Sequence, residues 1–533
     1  MTENRRIALN TIATYGRSVF SVVCGVFSAR WVLMSLGQVD FGLYGLIGSL
    51  VVFISFLNIQ FAGAIARYYA FSVGRARAMK DTAIVMEESR CWFTTALLIH
   101  TVVPIGLIFI GYPVGVFAVV NGFLNIPADR VDACVWIWRF VCASTFVGMV
   151  NVPFQAMYTA KQYIAELTIY SFIQTIVRTG FMYFMVTHPR EWLVPYGCAM
   201  LIIQALPQAI ICCRAIKIFP ECRVRLYAIR HGWRILQLSK FAFWQGVGGV
   251  GFIASHQCMS IIINKWFGPR ITGSFSVAQT VAGEAAALTG ALQGAFAPAI
   301  TTVYGAGEQD KSFQMAFQVC KIGTVLTLLF SLPMGLEIDE VLRIWLKEPP
   351  PLSSGMCLSM LLFISLEKLT IGHVVAINAS GNVAKFQAVR GIARSLVIPL
   401  ALIMILLSRD ATFAVLALPI SVVIVDVADV LVASEKIGMS VGYWLKNVVI
   451  PILIIALISA LIGLAPRMFL EASVLRVVFT TLIVVACVVV SSWFFLLSGW
   501  ERTSLSSKAK MFLKRASFFR RNCNVEGGKY AIS

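Results

Sequence analysis

Residues 474–498 read VLRVVFTTLIVVACVVVSSWFFLLS, a stretch whose one charged residue is Arg476. A helix needs about 20 predominantly apolar residues to cross about 30 Å of hydrocarbon, and this stretch is long enough. Applied to all 533 residues, the same test predicts fourteen spans, near 9–35, 43–70, 91–118, 133–159, 163–187, 192–214, 238–266, 271–301, 313–336, 353–378, 387–407, 411–433, 444–465 and 474–498. The fold class expected is therefore an all-α polytopic membrane protein.

Composition agrees. Residues of the set AVILMFWYC make up 59% of the chain, charged residues 13%, and mean hydropathy is +0.82. Counting Gly in place of Tyr raises the apolar share to roughly 64%, against the usual 45–50%. A water-soluble core that apolar would have no polar skin, which excludes a cytosolic enzyme, a nucleic-acid-binding domain and a disordered chain.

The net charge is +19, from 44 Lys and Arg against 25 Asp and Glu. Basic loops at the cytoplasmic face account for such an excess. With the N-terminus inside, cytoplasmic segments and their flanks hold about 25 of the basic residues and outer loops about 9, so the bias predicts both termini in the cytoplasm. The main inner blocks are Arg75, Arg77, Lys80 and Arg90; the run from Lys217 to Lys240; and the tail from Arg502 to Lys529. Arg5 and Arg6 precede an apolar run too long for a signal peptide, which reads as a retained first span. The 13 cysteines are scattered without a C-x-x-C, so neither a disulfide framework nor a zinc site is expected.

Five segments follow: a six-helix lobe over 1–215, an amphipathic linker over 216–237 lying along the inner surface, a second six-helix lobe over 238–434, two further spans over 435–498, and a basic cytoplasmic tail over 499–533. Ala156–Tyr163 and Ala376–Val383 echo one another 220 residues apart, each a span ending in a small-residue turn. That offset would make the lobes parallel repeats, a common transporter plan.

Between the first two spans the chain reads Gly37-Gln38-Val39-Asp40-Phe41-Gly42-Leu43-Tyr44-Gly45. This resembles the LG…D-[YF]-G-[LI]-Y junction of the bacterial polysaccharide transporter family, the O-antigen and capsule flippases. Their superfamily of multidrug, oligosaccharidyl-lipid and polysaccharide exporters also holds multidrug antiporters and the lipid II flippase. Phe61–Gly74, with Arg67-Tyr68-Tyr69, and the run Asp339–Leu346 also resemble members of that family. The specific motifs cover about the first 75 residues; beyond them the likeness is architectural. The resemblance implies a V-shaped, two-lobed transporter that moves a polyprenyl-diphosphate-linked oligosaccharide outward across the bacterial inner membrane. The implied setting is lipopolysaccharide biosynthesis, beside polysaccharide polymerase and chain-length machinery.

A charged side chain at mid-bilayer costs about 2.5–3.5 kcal/mol on insertion scales, so each asks for a reason. The first lobe carries Arg17, Arg30, Arg67, Arg139 and Arg178, with one acid, Glu166, near a turn. Cations without balancing acids suggest an anion site, and the planar guanidinium fork suits a diphosphate. Arg30, Arg67 and Arg139 lie near span ends, where snorkelling to the interface is the competing explanation. Arg17 and Arg30 are 13 residues apart, about 220° around one helix, and so do not share a face. In the second lobe, Glu284 sits mid-span, while Asp426 and Asp429 share a face near the inner end of their span. These acids are candidates for coupling to protons or Na⁺; local pairing with Lys321, Lys368 or Arg394 is the alternative.

The glycines at 246, 248, 249 and 251 imitate a dinucleotide loop but lie inside an apolar helix, and no Walker A motif occurs. No cofactor, metal site or nucleic-acid partner is expected. An outward-moving anionic lipid gains about 2.3 kcal/mol per charge per 100 mV of inside-negative potential. The sequence thus points to a flippase and not an enzyme; the rival is a cation-coupled multidrug or organic-cation antiporter of the same fold, against which the five arginines argue.

Overall fold

The computed structural model describes residues 16–51, 82–224 and 253–497, scattered positions of 233–251, and Arg502, apart from 18, 19, 22, 162, 306, 381 and 382. The described residues form helices and their connections, without strands. Among the described residues, eight helices are long and apolar enough to cross a membrane, or nine if one bent pair counts as a span. The fourteen-span expectation reaches into residues that lie outside this set, including most of 43–70, Arg67, much of the linker and nearly all of the tail.

A helix over 23–51 (α1) is broken at Gly37, where φ is +76°, a conformation that favours a residue without Cβ. The Asp40–Tyr44 run lies in the arm after the break. The first lobe continues with α2 (Thr82–Val120), α3 (Val131–Ala160), α4 (Ile164–Thr187) and α5 (Leu193–Ile218). The second lobe holds α6 (Met259–Gly305), broken at Gly268 with φ +83°, then α7 (Gln309–Leu336) and the short α8 (Ile338–Leu346). Next come α9 (Ser353–Glu367), α10 (Ile371–Ser380), α11 (Ala384–Ser395), α12 (Val397–Ser408), α13 (Ala411–Val415) and α14 (Ala417–Ile437). The chain closes with α15 (Val441–Trp444), α16 (Ile450–Gly463), α17 (Ala465–Phe469) and α18 (Val474–Ser491).

Local signals set several ends. Asp410 accepts the Thr412 amide ahead of α13, Ser440 that of Tyr443, and Ser473 that of Arg476. Gly438, at φ +76°, stops α14. Within the helices, Thr and Ser hydroxyls such as those of Thr94, Thr95 and Thr324 bond the carbonyl four residues back, which satisfies them without water. On α18, Thr480, Val484, Val488 and Ser491 are buried while Leu475, Val478, Phe479 and Leu482 are exposed. The smaller and more polar side faces protein and the larger apolar side faces out, as lipid solvation requires.

The last two spans dock on the second lobe through one buried carboxylate. Glu337, between α7 and α8, accepts from Arg476 Nη2 at 2.9 Å, Arg476 Nε at 3.2 Å, Arg467 Nε at 3.4 Å and the Thr480 hydroxyl at 3.0 Å.

At the start of the expected linker, helix α5 runs on to Ile218, and Phe219, Glu221 and Cys222 are buried against the first lobe. The cause is a pocket of aromatic edges, with Tyr158 and Tyr163 about the Phe219 ring, sealed by a Lys161–Glu221 ion pair of 2.5 Å.

The lobes meet at the end where α1 turns. Asn125 and Asn264 exchange bonds, the Asn125 amide donating to Oδ1 at 2.9 Å and Asn264 Nδ2 donating to the Asn125 carbonyl at 3.2 Å. Arg270 donates to Gln38, and Lys265 to the Gly122 carbonyl. Gly42 and Gly273 bring the backbones together: a Cβ on Gly42 would stand 2.6 Å from the Gly273 nitrogen, and one on Gly273 would strike the Gln38 carbonyl. Gly273→Val will therefore wedge the lobes apart at this end. Spin labels at Asn121 and Trp266 should report a longer distance, and an unchanged distance would refute the role of the glycine contact.

Candidate functional site

A cavity of about 660 Å³ lies between the lobes, walled by both arms of α1 and the residues before them, α4, α5 and α6. Arg17, Arg178 and Glu284 line it, with Gln279, Tyr44 and Tyr196 among the other polar walls. Arg178 stands 14 residues into α4, about 21 Å along the helix, and is therefore deep in the span. Tyr196 lines the same wall. Tyr196 and Tyr44 hold each other edge-on at 4.6 Å between ring centres. Glu284 faces Arg178 electrostatically across the cavity. Gly25 lets Glu284 sit against α1, since a Cβ there would overlap the carboxylate. Two guanidinium groups against one carboxylate leave the wall with an excess positive charge, the arrangement an anionic headgroup would meet.

A second chamber, about 400 Å³, is almost wholly apolar. Val26, Phe330, Met334, Ile344, Val474 and Val478 line it, and it shares Thr280 and Glu284 with the first cavity. Arg30 opens into this chamber, not the first cavity, as its 220° offset from Arg17 requires; it reaches the Ile344 carbonyl at 3.5 Å. Trp345 fixes α8 over α1 by donating to the Val26 carbonyl at 2.6 Å.

The remaining arginines are placed differently. Arg139 does not line the cavity: it is exposed, donates to the Tyr112 hydroxyl at 3.0 Å and covers the Trp136 ring at 4.6 Å. Its place near the start of α3 lets the long side chain escape toward an aromatic, interfacial setting. Arg67 lies outside the described residues.

In the second lobe, α9 and α10 are bent by 42° at Lys368–Thr370. The bend frees polar groups deep in the bundle, as broken helices do. Trp444 Nε1 satisfies the Leu369 carbonyl at 2.8 Å, and the Thr370 hydroxyl donates to Asp426 Oδ1 at 2.6 Å, with Asp429 Oδ2 at 3.4 Å. Asp426 and Asp429 are thus buried at the middle of α14, not near an end, because the helix continues to Ile437 and its polar face turns onto the break. Arg390 Nε pairs with Asp429 Oδ2 at 3.2 Å, and Arg394 and Lys368 pair with Glu367. Glu367, Lys368, Arg390 and Arg394 line a third cavity of about 500 Å³ together with His256 and Gln279. Lys321 is elsewhere, donating to the Leu496 carbonyl. Sequence reasoning passed over Arg390; its spacing of four from Arg394 places both on one helix face, which was the available signal.

No family model matches the chain, and no curated protein matches it in sequence. Solved structures do. A lipid II flippase, MurJ, in an inward closed conformation aligns over 92% of this chain and 98% of its own, with TM-score 0.62 and 15% identity. An inward-facing multidrug resistance MATE family transporter of the MOP superfamily aligns over 80% of this chain and 98% of its own, with TM-score 0.57 and 12% identity. A MATE protein in complex with MaD3S aligns over 81% and 96%, with TM-score 0.57 and 13% identity. The fold is that of the MOP transporters. In the MOP fold of this chain, the arms of α1 and α6 that turn at Gly37 and Gly268 form the meeting edge of the lobes, and the first cavity lies beside that edge.

Proposed function

We propose that this chain moves a polyprenyl-diphosphate-linked oligosaccharide from the inner to the outer leaflet of the bacterial cytoplasmic membrane by alternating access, in surface polysaccharide or lipopolysaccharide O-antigen assembly. The observation that carries this reading is the pairing of chambers: a cavity with Arg17 and Arg178 on its wall opens beside an apolar one, across Thr280 and Glu284. An amphiphile with an anionic head and a long hydrocarbon tail fits that division. The MurJ neighbour is itself a lipid II flippase. The orientation, with both termini cytoplasmic, rests on the basic-residue bias. The end closed by Asn125, Asn264 and the Gly42–Gly273 contact is then the outer gate. The head enters from the cytoplasmic side, the outer gate opens as the lobes rock, and the tail stays in lipid. Membrane lipids, polysaccharide polymerase and chain-length machinery are the partners of this reading.

Deletion of the gene should leave lipid-linked oligosaccharide on the inner leaflet. Normal export in the deletion strain refutes the assignment.

Glu284, Asp426 and Asp429 are the residues proposed to couple transport to a cation gradient. Asp426 has a hydroxyl, not a cation, as its hydrogen-bond partner, which leaves a buried acid for a proton or Na⁺ to neutralise. Glu284→Gln and Asp426→Asn are expected to change the dependence of transport on pH or Na⁺. Full activity with unchanged dependence ends that role.

One observation favours a second reading. Glu284 places a carboxylate in the first cavity, and two MATE structures share the fold, so a multidrug or organic-cation antiporter is the alternative. Vesicles that accumulate an organic cation against a proton or Na⁺ gradient, and do not translocate a lipid-linked sugar, would select it.

A further inference from the structure

The three chambers are strung along one helix. The apolar chamber shares Thr280 and Glu284 with the first cavity, and the first cavity shares Gln279 with the third. Gln279 is held there by its bond to the His256 carbonyl at 3.1 Å. A substrate with its tail in the apolar chamber and its diphosphate at Arg17 and Arg178 would have its sugars beside Gln279, which borders the third cavity.

That cavity is not built for a neutral sugar alone. Its wall carries Lys368, Arg390 and Arg394 against one carboxylate, Glu367, beside the His256 ring. From behind, Asp429 reaches Arg390, and Asp426 is bonded to the Thr370 hydroxyl. Arg394 is held by Glu367. Arg390 makes its ion pair through Nε, and the Lys368 ammonium has a single contact of 3.4 Å, to Glu367. Donors of Lys368 and Arg390 thus exceed the acceptors their ion pairs supply. Both side chains are nearly buried, at 10% and 16% exposure, so they are desolvated cations in a space large enough for a sugar ring.

We propose that this third cavity binds a carboxylate on the glycan, making an acidic, uronic-acid-bearing oligosaccharide the preferred cargo. The proposal rests on the lipid-linked reading of the protein. A sugar carboxylate would take a charge-assisted bond from Lys368 and a further one from Arg390, whose planar fork matches it. Hydroxyls of a neutral sugar would meet the same groups without the charge and would leave the cations less well compensated.

The test uses the full chain in lipid nanodiscs and two polyprenyl-diphosphate probes, one with a neutral tetrasaccharide and one in which a single residue is a uronic acid. Wild-type protein is expected to bind the acidic probe at least about tenfold more tightly. Lys368→Gln should bring the two affinities within about twofold, chiefly by weakening binding of the acidic probe. Arg390→Gln is expected to do the same, and Lys368→Gln serves alone should loss of the Asp429 partner prevent folding. Equal affinities in wild type, or a preference unchanged in Lys368→Gln, overturn the proposal and leave the lipid-linked reading standing. Binding of neither probe overturns both.

Discussion

Replacing Arg178 with Gln is expected to lower transport of the lipid-linked substrate at least about tenfold, and joint replacement of Arg17 and Arg178 to bring it to background. The reason is desolvation. A diphosphate entering the bilayer gives up its water, and charge-assisted bonds to guanidinium groups are the replacement the first cavity offers. Arg178 is deep in α4 and shares the cavity wall with Tyr44 and Tyr196. Arg178→Lys keeps the charge but loses the fork, so an intermediate rate is expected. The measurement is surface glycan in a strain carrying each variant at equal membrane abundance. Normal glycan in the double variant would remove these residues from the site. Arg139→Gln is the matched control, because its side chain sits against Tyr112 and Trp136, and it should retain transport.

Glu337→Ala is expected to destabilise the protein by about 3–5 kcal/mol, the usual effect of breaking a buried ion pair from one side. Glu337 is fully buried and joins Arg467, Arg476 and Thr480 of the last two spans to the junction of α7 and α8. Its removal leaves Arg476, itself only 14% exposed, facing Thr480 without a counter-charge. Thermal unfolding in detergent should show a large loss, and proteolysis should cut first in the 464–473 connection. Glu337→Gln keeps the shape and one acceptor oxygen but turns a donor amide toward the arginines, and should fall between wild type and Ala. Wild-type stability in Glu337→Ala would mean that α16–α18 are held by apolar packing alone. Val474, Val477 and Val478 wall the apolar chamber, so the same substitution is expected to weaken binding of the lipid tail.

Helix class was legible because lipid imposes a length on each apolar run, and length survives without knowledge of neighbours. The long runs at 313–336, 411–433 and 474–498 reappear as α7, α13–α14 and α18 with small shifts at the ends. Facing was much less legible. In a membrane helix every side is apolar, so periodicity does not say which charges turn inward; depth along the span alone set Arg139, near an end, apart from Arg178. The structure adds the environment: a tyrosine and a tryptophan for one, an inter-lobe cavity for the other. The break at Lys368–Thr370 was hidden for another reason. The run 353–378 reads as one continuous span, and the residues at the bend include neither Gly nor Pro; the break is held by Trp444 and by the aspartates of α14, far away in sequence. Arg390 was missed because the predicted span began only three residues before it, where a basic residue passes for a cytoplasmic flank.

The buried start of the connector has a mechanical consequence. Phe219, Glu221 and Cys222 are fastened to the first lobe, and Trp233 again meets that lobe at Trp92, with ring centres 5.7 Å apart. A tether stapled twice to one body cannot give slack along its whole length. Any swing of one half against the other must then draw on chain beyond Trp233.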